Sequence, residues 1–565
     1  MKLFSQFVTF TDLQKDHRVA EMFTLQKMPS LNLNHLRQQK IDHVIYISRP
    51  DLEKVDKIVT HFSTSFDLPS SSHQKFLKGG EFPRFHLFFV PRSSTFGESK
   101  LKESDILMKF TSIIDLPIYM FNWDADVLNM ENERAFSDIL INGGTSDCLF
   151  DMSKALQQLR YLLGPFGEIF YKGEGSKIIY DLYNRWNESS KKDNDQETSA
   201  KFKIDRLLIL DRSIDLITPL ITQLTYEGLI DEYFEVKCGA SRFPSEKFST
   251  VEDQPGQSSK KSLNFKELQT NSSDEMYNEL RNLNFNAIGV NLSKKLKQLA
   301  EMKTQIQSAS TVRECKDFVK KIPLLKAAEA LAANHVTVAE ILKEKTCESI
   351  FLDTVNCEQE ILNLVDIDRP LPFIEDLSLK GEHLNKDEFF FTSSQVLRLI
   401  CLHAQICDGL KKKLLDQYRR EFLHSFGYSN LKLLCNLQRM NILKVNSSSS
   451  TRKFEQLKKE HRLIVEGVNE QSPEDLSYVY SGYAPLLIRF CEQIQKRNVD
   501  FEQILESLKK LPGGVFGGEL HPKYEKKTGD KNITLVVFVG GATYTEISAL
   551  RFLSEKNEVL MDSLK

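Results

Sequence analysis

The chain contains 565 residues, of which 41% are hydrophobic and 27% are charged, and this is the composition of an ordinary globular protein. At roughly 100 to 200 residues per domain, the length predicts about three or four folding units. The formal net charge of −3 gives no electrostatic basis for binding nucleic acid, so a polyanionic partner is disfavoured.

The nine cysteines are scattered along the chain and form no C-x-x-C pair. Such usage is typical of reduced thiols in a cytosolic protein. No apolar run approaches the roughly 20 residues that span a bilayer, and the N-terminus has no secretory signal pattern. We therefore expect a cytoplasmic protein that reaches membranes only through its partners.

The segment from Ile41 to Asp124 alternates between strand and helix patterns. HVIYISRP predicts a strand, an apolar helical stripe follows from Leu52 to Phe62, and FHLFFVP predicts a second strand. DLPIYMFNWD, which ends at Asp124, predicts a third strand. This alternation indicates an N-terminal α/β domain, which we assign to residues 1–128.

Helical periodicity interrupted by glycines continues from Phe136 to Trp186. Within it, KGEGSK at Lys172 to Lys177 superficially resembles a phosphate-binding loop. It lacks the pattern G-x-x-x-x-G-K-[ST], however, and no apolar strand is predicted immediately before it. The sequence therefore predicts no nucleotide or other cofactor.

The apolar run from Leu207 to Leu210 ends abruptly at a polar turn, as in a parallel strand that is covered on both faces. Thr218-Pro219 predicts the start of the following helix, because proline at the first helical position loses no hydrogen bond. A second strand of this kind is predicted only at Ile533 to Val539, and Gly540-Gly541 is expected to form the tight turn into a helix.

If these two strands share a sheet, a second α/β domain is built from two segments, residues 129–262 and 474–565. The remaining residues, 263–473, then form an inserted domain. They have helical periodicity with almost no strand pattern, with helices predicted at Gln395–Cys407, Gly409–Phe426 and Asn430–Ile442. The predicted fold class is therefore α/β plus α.

Several charged residues follow the central strand, where open α/β sheets often place active sites. Asp211 and Asp215 could form an acid/base pair, but Arg212 lies between them and Asp231 follows nearby, so a structural ion-pair network is favoured. The rival hypothesis is a hydrolase or nucleotide-dependent enzyme that uses the residues after this strand as its active site. Such an enzyme would need a nucleophile or a phosphate cradle beside Asp211.

Two apolar stripes in the inserted domain predict a helical hairpin. The first runs from Leu292 to Ile306 and the second from Val312 to Ile322, with a turn at residues 308–311. Pro323 interrupts the second arm, and a proline inside a helix predicts a kink, because it removes a backbone donor and clashes with the preceding turn.

The inserted domain also contains Cys401, His403 and Cys407 on one predicted helix. Their spacing does not place them on one tight face, so buried packing is favoured over a metal site.

Three runs carry a resemblance to a known family: LDRSIDLITPLITQLTYEGLIDE, YVYSGYAPL and VVFVGGATYTEISALRFLS. They resemble the Sec/Munc, or SM, family of SNARE-binding proteins, and most closely its class-C vacuolar-protein-sorting branch. YSGYAPL favours the A form of that branch, whereas VKCGA favours the B form. The resemblance implies an arch of two α/β domains with parallel sheets and a large inserted helical domain.

The same resemblance implies a function without covalent chemistry. An SM protein of this branch would bind SNARE proteins, syntaxin-type ones among them, and promote fusion at late endosomes and lysosomes within the HOPS and CORVET tethering complexes. The rival within this class is a scaffold that binds only its tethering partner. The resemblance also implies that a strand and helix present at each end of the family fold are lacking here.

Two groups of binding residues follow from the resemblance. The hairpin would contact SNARE helices through Lys294, Lys295, Lys297, Met302, Gln305 and Val312, with Pro323 as its hinge. The region from Tyr418 to Leu434 would dock the helical subunit sixteen of the same complexes, through Arg419, Tyr428 and Leu431. Solvated helix faces are the alternative for the lysines, and a helix cap is the alternative for Tyr428. The second lysine cluster, Lys411 to Lys413, is expected to be solvated.

Overall fold

The structure is a computed structural model. It describes residues 42–65, 84–142, 146–191, 203–237, 239–248, 265–307, 312–363, 372, 376, 386–446, 453–496, 500–522, 524 and 532–563.

Strands and helices alternate at both ends of the chain, and helices alone fill its middle. The strands are β1 (His43–Ser48), β2 (Arg84–Phe89), β3 (Ser112–Asp115), β4 (Phe121–Asp124), β5 (Val127–Asn129), β6 (Phe166–Lys172), β7 (Ile204–Asp211), β8 (Ala240–Pro244), β9 (Phe265–Gln269), β10 (Phe516–Leu520) and β11 (Thr534–Val539). The helices are α1 (Leu52–Ser65), α2 (Thr95–Glu103), α3 (Ala135–Asn142), α4 (Asp147–Leu163), α5 (Glu174–Lys191), α6 (Tyr226–Phe234), α7 (Glu275–Leu280), α8 (Phe285–Gln307), α9 (Val312–Thr346), α10 (Ser349–Asn363), α11 (Lys386–Ile406), α12 (Lys412–Phe426), α13 (Leu431–Arg439), α14 (Lys453–His461), α15 (Leu486–Lys496), α16 (Phe501–Lys510) and α17 (Tyr544–Ser563).

The first sheet has the order β1-β2-β3, and its strands are parallel. Val55 and Phe62 of α1 and Leu101 of α2 pack with apolar side chains of β2 in one buried cluster. The first two predicted strands are confirmed. The third predicted segment does contain a strand, β4 at Phe121–Asp124, but it pairs with β5 in a separate hairpin, and the third strand of the sheet is β3 at Ser112–Asp115.

The second sheet has the order β10-β6-β7-β11, in which β6, β7 and β11 are parallel and β10 is antiparallel. Leu207 to Leu210 of β7 lie opposite Leu535 to Phe538 of β11. The predicted sharing of one sheet by these distant strands is therefore confirmed. All four residues of this β7 run are buried, because apolar clusters lie on both faces of the sheet.

Strand β6 was missed in the sequence, which contains the charged residues Glu168 and Lys172 within the run FGEIFYK. Both are buried in the sheet. Arg206 of β7 compensates Glu168 with an ion pair of 2.7 Å. A pairing between strands thus makes a charged segment compatible with a sheet interior, and the expectation that no strand precedes the KGEGSK loop was wrong.

The predicted helix start at Thr218-Pro219 was also wrong. Thr218–Leu220 forms a single 3₁₀ turn, and helix α6 begins only at Tyr226, where the hydroxyl of Thr225 caps it by accepting from the N–H of Gly228. The carboxylate of Asp215 accepts from the N–H groups of Ile217 and Thr218 and from the Thr218 hydroxyl. These local bonds hold the turn in place of a helix.

From Glu275 to His461 the described residues form helices and no named strand, which agrees with the expected helical insertion. Helices α8 and α9 pack together as predicted, although the turn at 308–311 lies outside the described residues. Helix α9 continues through Pro323, so the helix does not end there, and the kink expected at this residue stays a prediction. Helices α11 and α12 pack in the largest apolar cluster, together with residues of β6 and β7.

Candidate partner-binding surfaces

The hairpin formed by α8 and α9 is anchored at its base in an apolar cluster. Leu292 and Leu299 of α8 and Ala332, Val338 and Leu342 of α9 are buried there against α6 and α7. Because α6 follows the turn after β7, the hairpin is fixed to the second sheet through a short buried connection.

A buried histidine, which was not predicted from the sequence, stabilises the base of the hairpin. His335 of α9 lies 3.0 Å from the Tyr226 hydroxyl and 3.2 Å from the carboxylate of Asp274, which caps α7. Burial by itself raises the pKa of Asp274, but hydrogen bonds from His335 and from the N–H of Tyr277 outweigh it and lower that pKa. No motif in the sequence distinguishes His335 from a core residue.

The distal half of the hairpin stands clear of the core. No side chain described at positions 300–304 or 322–331 is buried. Met302, Ile322 and Leu324 are exposed large apolar residues there, and Leu324 exposes 71% of its surface. Lys303 pairs with Glu329 across the two helices at 2.9 Å. Exposed apolar side chains on a projecting element are typical of a binding surface.

The predicted hairpin residues do not all share one environment. Lys294 and Lys297 are exposed on α8, whereas Lys295 is held at the base by the carboxylate of Glu279, at 2.5 and 2.7 Å. Pro323 is exposed. The side chains of Gln305 and Val312 lie outside the described residues. Of the three lysines, two are therefore accessible to a partner.

A second candidate surface lies at the junction of α12 and α13. Helix α12 buries Leu415, Tyr418, Phe422 and Phe426 on one side and ends at Gly427, whose backbone has a φ of 89°. Spacings of three and four residues place these side chains on one face. The positive φ favours glycine and redirects the chain into a 3₁₀ turn.

The residues after Gly427 turn outward. Tyr428, Leu431 and Leu433 expose 68%, 43% and 42% of their surfaces, and Arg419 of α12 is half-buried. Asn430, rather than Tyr428, caps the helix end by donating to the carbonyl of Phe426 at 2.7 Å. Within the described residues, Tyr428 has one ring neighbour, His424 at 6.3 Å.

The charged residues that follow β7, at the rim of the second sheet, form hydrogen bonds and ion pairs with other residues of the protein. Arg212 donates to the carboxylate of Glu546 at 2.9 and 2.8 Å and lies 3.5 Å from Asp215. Asp215 also accepts from the N–H of Leu486 at 3.2 Å. Contrary to the prediction, Asp231 does not join this network, since its carboxylate accepts from Gln223 and the N–H of Val236. Burial raises the pKa of Asp231 to about 6.

The glycine loop before α5 is hydrogen-bonded to a carboxylate of the protein itself. The carboxylate of Asp211 accepts from the N–H of Gly175 at 3.0 Å and from that of Ser213 at 3.0 Å. A Cβ atom at Gly173 would lie 2.3 Å from the Cβ of Asp211. The position that a phosphate would take at this helix N-terminus is thus occupied by the protein's own carboxylate.

The turn from β11 into α17 packs against the same rim. Gly540 and Gly541 have φ of 105° and 99°, and a Cβ at Gly540 would lie 3.1 Å from the Cβ of Arg212. Thr543 and Glu546 then cap α17 reciprocally, each side chain accepting from the other's N–H. This T-x-x-E pattern is the sequence signal from which the role of Glu546 could have been predicted.

Arg551 of α17 is a second buried residue that joins separate elements and was not predicted from the sequence. Its guanidinium donates to Asp126 at 2.8 and 3.0 Å, to Asp124 at 3.2 Å and to Glu227 at 3.0 Å. One arginine thus joins the β4–β5 hairpin, α6 and α17. No sequence signal links these four residues, because their contact depends on the tertiary fold.

Neither a metal site nor a membrane span is found in the ranges that the structure describes. No group of three or more His, Cys, Asp or Glu side chains is placed there to hold a metal ion. In those ranges no helix is long and apolar enough to cross a bilayer. His403 lies 3.1 Å from the hydroxyl of Tyr418, and Cys401 is buried beside it on α11.

The fold is that of solved SM proteins. The structure of the SM protein Vps45 in complex with the Qa SNARE Tlg2 matches with a TM-score of 0.52 and 18% identity, covering 90% of this chain and 81% of that chain. The Unc18–syntaxin 1 complex from Monosiga brevicollis matches with a TM-score of 0.55 and 14% identity, covering 91% and 83%.

Relatives that match by sequence share more identical residues with this chain than those two structures do. Vacuolar protein sorting-associated protein 33A of Rattus norvegicus is 35% identical over 549 residues, which cover 96% of this chain and 86% of the relative. The protein of that name from Drosophila melanogaster is 31% identical over 92% of this chain and 84% of the relative. The model of the Sec1 family matches residues 1–562. The chain is therefore a member of the Sec1 family of SM proteins, homologous to vacuolar protein sorting-associated protein 33A.

Proposed function

We propose that this chain binds SNARE helices and orders them for membrane fusion, as a subunit of a HOPS- or CORVET-type tethering complex at late endosomes and lysosomes. Homology to vacuolar protein sorting-associated protein 33A supports the endolysosomal setting. The solved relatives Vps45 and Unc18 are each in complex with a SNARE, Tlg2 and syntaxin 1. Sec1-family proteins are not enzymes, so the proposed activity is binding.

The observation that carries this proposal is the exposed distal half of the α8–α9 hairpin. Met302 and Leu324 offer apolar contacts to the apolar face of an amphipathic helix. Lys294 and Lys297 lie further down α8 and suit a partner helix with acidic side chains. We include Gln305 and Val312 in the proposed surface from their positions in the sequence.

The proposed mechanism lowers an entropic barrier. Each residue that becomes ordered costs about 1 to 2 kcal/mol of conformational entropy, so two disordered SNARE segments are slow to find a common register. A hairpin that holds both segments makes their encounter intramolecular, with an effective concentration that reaches about the millimolar range. Pro323 lacks an N–H donor within α9, and we propose it as the point where the hairpin bends on binding.

Direct binding of purified SNARE motifs tests the proposal. The double substitution Lys294→Glu and Lys297→Glu, and separately Met302→Glu, should each weaken the binding measured by titration calorimetry about tenfold or more, which corresponds to at least about 1.4 kcal/mol. The rate at which SNARE motifs assemble in the presence of the protein should fall with the same variants.

A matched control comes from the second lysine cluster. Lys411 and Lys412 are also exposed, at the start of α12, and their reversal to Glu changes the net charge equally. This control should leave SNARE binding unchanged. Undiminished affinity in the α8 variants would remove the hairpin from the mechanism, and equal losses in both double variants would indicate a nonspecific charge effect.

We further propose that Arg419, Tyr428 and Leu431 dock the helical tethering subunit sixteen. Aromatic and arginine side chains are common at the energetic centres of interfaces, and the exposed Tyr428 and Leu431 provide such anchors. This surface also supports the second candidate function, a scaffold that binds its tethering subunit and no SNARE. That candidate predicts partner binding without any measurable affinity for SNARE motifs.

A further inference from the structure

The hairpin formed by α8 and α9 projects well beyond the contacts that hold it. Helix α9 is buried at Ala332, His335 and Val338. No side chain described from Ile322 to Leu331 of the same helix is buried. At 1.5 Å per residue, Ile322 lies about 20 Å along the helix from His335, so a tilt of about 10° at His335 moves Ile322 by roughly 3 Å. The contacts around His335 therefore determine where the exposed part of the hairpin points.

Two kinds of contact hold this base. The apolar side chains of the cluster attract one another without a preferred direction. Hydrogen bonds, in contrast, weaken steeply when donor and acceptor are misaligned. His335 forms two of them to separate elements, one with Tyr226 at the first residue of α6 and one with Asp274 at the N-terminus of α7. Directed bonds to two elements restrict the rotation of α9 more than one bond does.

The direction of each bond follows from the chemistry of its partner. A carboxylate only accepts, so Nε2 of His335 donates to Asp274, and in the neutral ring Nδ1 accepts from the Tyr226 hydroxyl. Asp274 also accepts from the N–H of Tyr277 at 2.9 Å, and the Tyr277 ring stacks on that of His335 at 6.0 Å. Tyr226, Tyr277 and His335 expose at most 2% of their surfaces. Loss of either bond therefore leaves a buried polar group without a partner.

Two further side-chain contacts of α9 lie nearer the surface. Lys266 of β9 donates to Asn334 at 2.7 Å, and Lys247 donates to Glu344 at 2.8 and 2.9 Å. These four side chains are half-buried or exposed, and solvent weakens such contacts. His335 is thus a buried polar link between α9 and the elements that connect it to the second sheet.

We propose that His335 is a positioning residue, which fixes the angle at which the hairpin projects from the second sheet by bonding to α6 and α7 at once. This inference rests on the proposed SNARE-binding function and deepens it. A hairpin at a fixed angle presents its two bound segments in one register, whereas a swinging hairpin still binds each segment but aligns the two less often. His335 should therefore govern the rate of SNARE assembly without changing the affinity for a single SNARE motif.

The distance between two spin labels tests the angle directly, whether or not SNAREs are bound. One label, on a noncanonical amino acid, replaces the exposed Lys326 of α9. The other replaces the exposed Lys177 of α5, a helix that packs on β6 and β7. Tyr226→Phe deletes one hydroxyl and His335→Phe deletes both hydrogen bonds. Each should shift or broaden the distance distribution by about 3 Å or more, as a tilt at the base requires.

A matched control lies in the first domain. Tyr46 is also a buried tyrosine whose hydroxyl is bonded to a histidine, His61, at 3.1 Å. Tyr46→Phe therefore deletes the same group from the same kind of pair, far along the chain from the hairpin. It should leave the distance between the labels and the rate of SNARE assembly unchanged.

A kinetic measurement separates positioning from binding. Tyr226→Phe should lower the rate at which SNARE motifs assemble on the protein at least about fivefold, because small misplacements of reacting partners cost rate. Its affinity for a single SNARE motif, measured by titration calorimetry, should stay within about twofold of the parent, because the exposed half of the hairpin is unaltered.

Equal label distances in the parent, Tyr226→Phe and His335→Phe overturn the proposal. If His335→Phe does not fold, the comparison of Tyr226→Phe with the parent decides. A changed distance with an unchanged assembly rate overturns the positioning role, and so does an equal loss of single-motif affinity and rate. A parent protein that neither binds nor assembles SNARE motifs removes the proposed function instead, and the label distances alone then decide whether His335 fixes the angle.

Discussion

Arg212 and Glu546 form a buried ion pair, in which one guanidinium nitrogen of Arg212 donates to both carboxylate oxygens of Glu546. The two residues are 334 positions apart in the sequence. The arginine follows β7 and the glutamate lies in the first turn of α17, so the pair joins the two segments of the second sheet at its rim. Both side chains are almost completely removed from solvent, at 3% and 0% exposed.

Loss of this pair should be costly, because the charge of Arg212 would remain buried with Asp215 as its nearest counterion. We expect Glu546→Gln to destabilise the fold by about 3 to 5 kcal/mol, the range typical for removing one partner of a buried ion pair. Chemical denaturation followed by circular dichroism measures this change. Glu555→Gln, at an exposed position of the same helix, should change stability by less than about 0.5 kcal/mol, and an equal loss there would contradict the assignment.

The carboxyl of Glu358 on α10 should make stability depend on pH. It accepts hydrogen bonds from the N–H and the hydroxyl of Thr222, at 3.0 and 2.7 Å. Burial raises its pKa from 4.5 to about 7, although Arg398 and Thr222 oppose the increase. In the unfolded chain the proton leaves near the ordinary pKa, so this group costs the folded state stability as pH rises from about 4.5 to about 7.

Glu358→Gln removes that titration and can keep both contacts with Thr222. The variant should match the parent protein near pH 4.5 and exceed its stability by about 1 to 3 kcal/mol above pH 7, because each unit of pKa shift corresponds to about 1.4 kcal/mol. Denaturation midpoints between pH 4.5 and 8 provide the comparison. Asp353→Asn on the exposed side of α10 is the control, and a stability difference that does not vary with pH would refute the role of Glu358.

The surface around Tyr428 should be required for the tethering partner. We expect Tyr428→Asp to weaken binding of the helical subunit sixteen at least about tenfold, because a charge replaces an exposed aromatic anchor. Quantitative co-purification with that subunit measures the effect, and SNARE binding by the same variant should not change. Tyr161→Asp, which alters a tyrosine that is 91% exposed on α4, should retain the partner. Full retention by Tyr428→Asp would contradict the proposal.

Local pattern was enough to predict much of the framework. The apolar runs of β7 and β11, the strands β1 and β2, and the helices α8 and α9 all follow from periodicity, because strands and helices place apolar side chains at different spacings. The three family-like runs, two of which begin within β7 and β11, also supplied the resemblance that the homologues confirm. What these segments have in common is that their own residues determine their structure.

The error at β6 occurred because a distant residue decides the local structure. The sequence of β6 contains Glu168 and Lys172, and only its neighbour Arg206 makes Glu168 compatible with a sheet interior. The delayed start of α6 has a local cause instead, since the nearby carboxylate of Asp215 satisfies the backbone of the intervening turn.

The sequence by itself thus determined the fold class and the family, and it predicted where the candidate surfaces lie. The tertiary structure alone decided which charges are buried together, as in the contacts of Arg551 with Asp124, Asp126 and Glu227. It also decided that the carboxylate of Asp211 accepts a hydrogen bond from the glycine loop before α5. The physical reason is that periodicity reports the environment of each residue along its own helix or strand, whereas a buried charge is stabilised by a partner that only the folded chain brings within hydrogen-bonding distance.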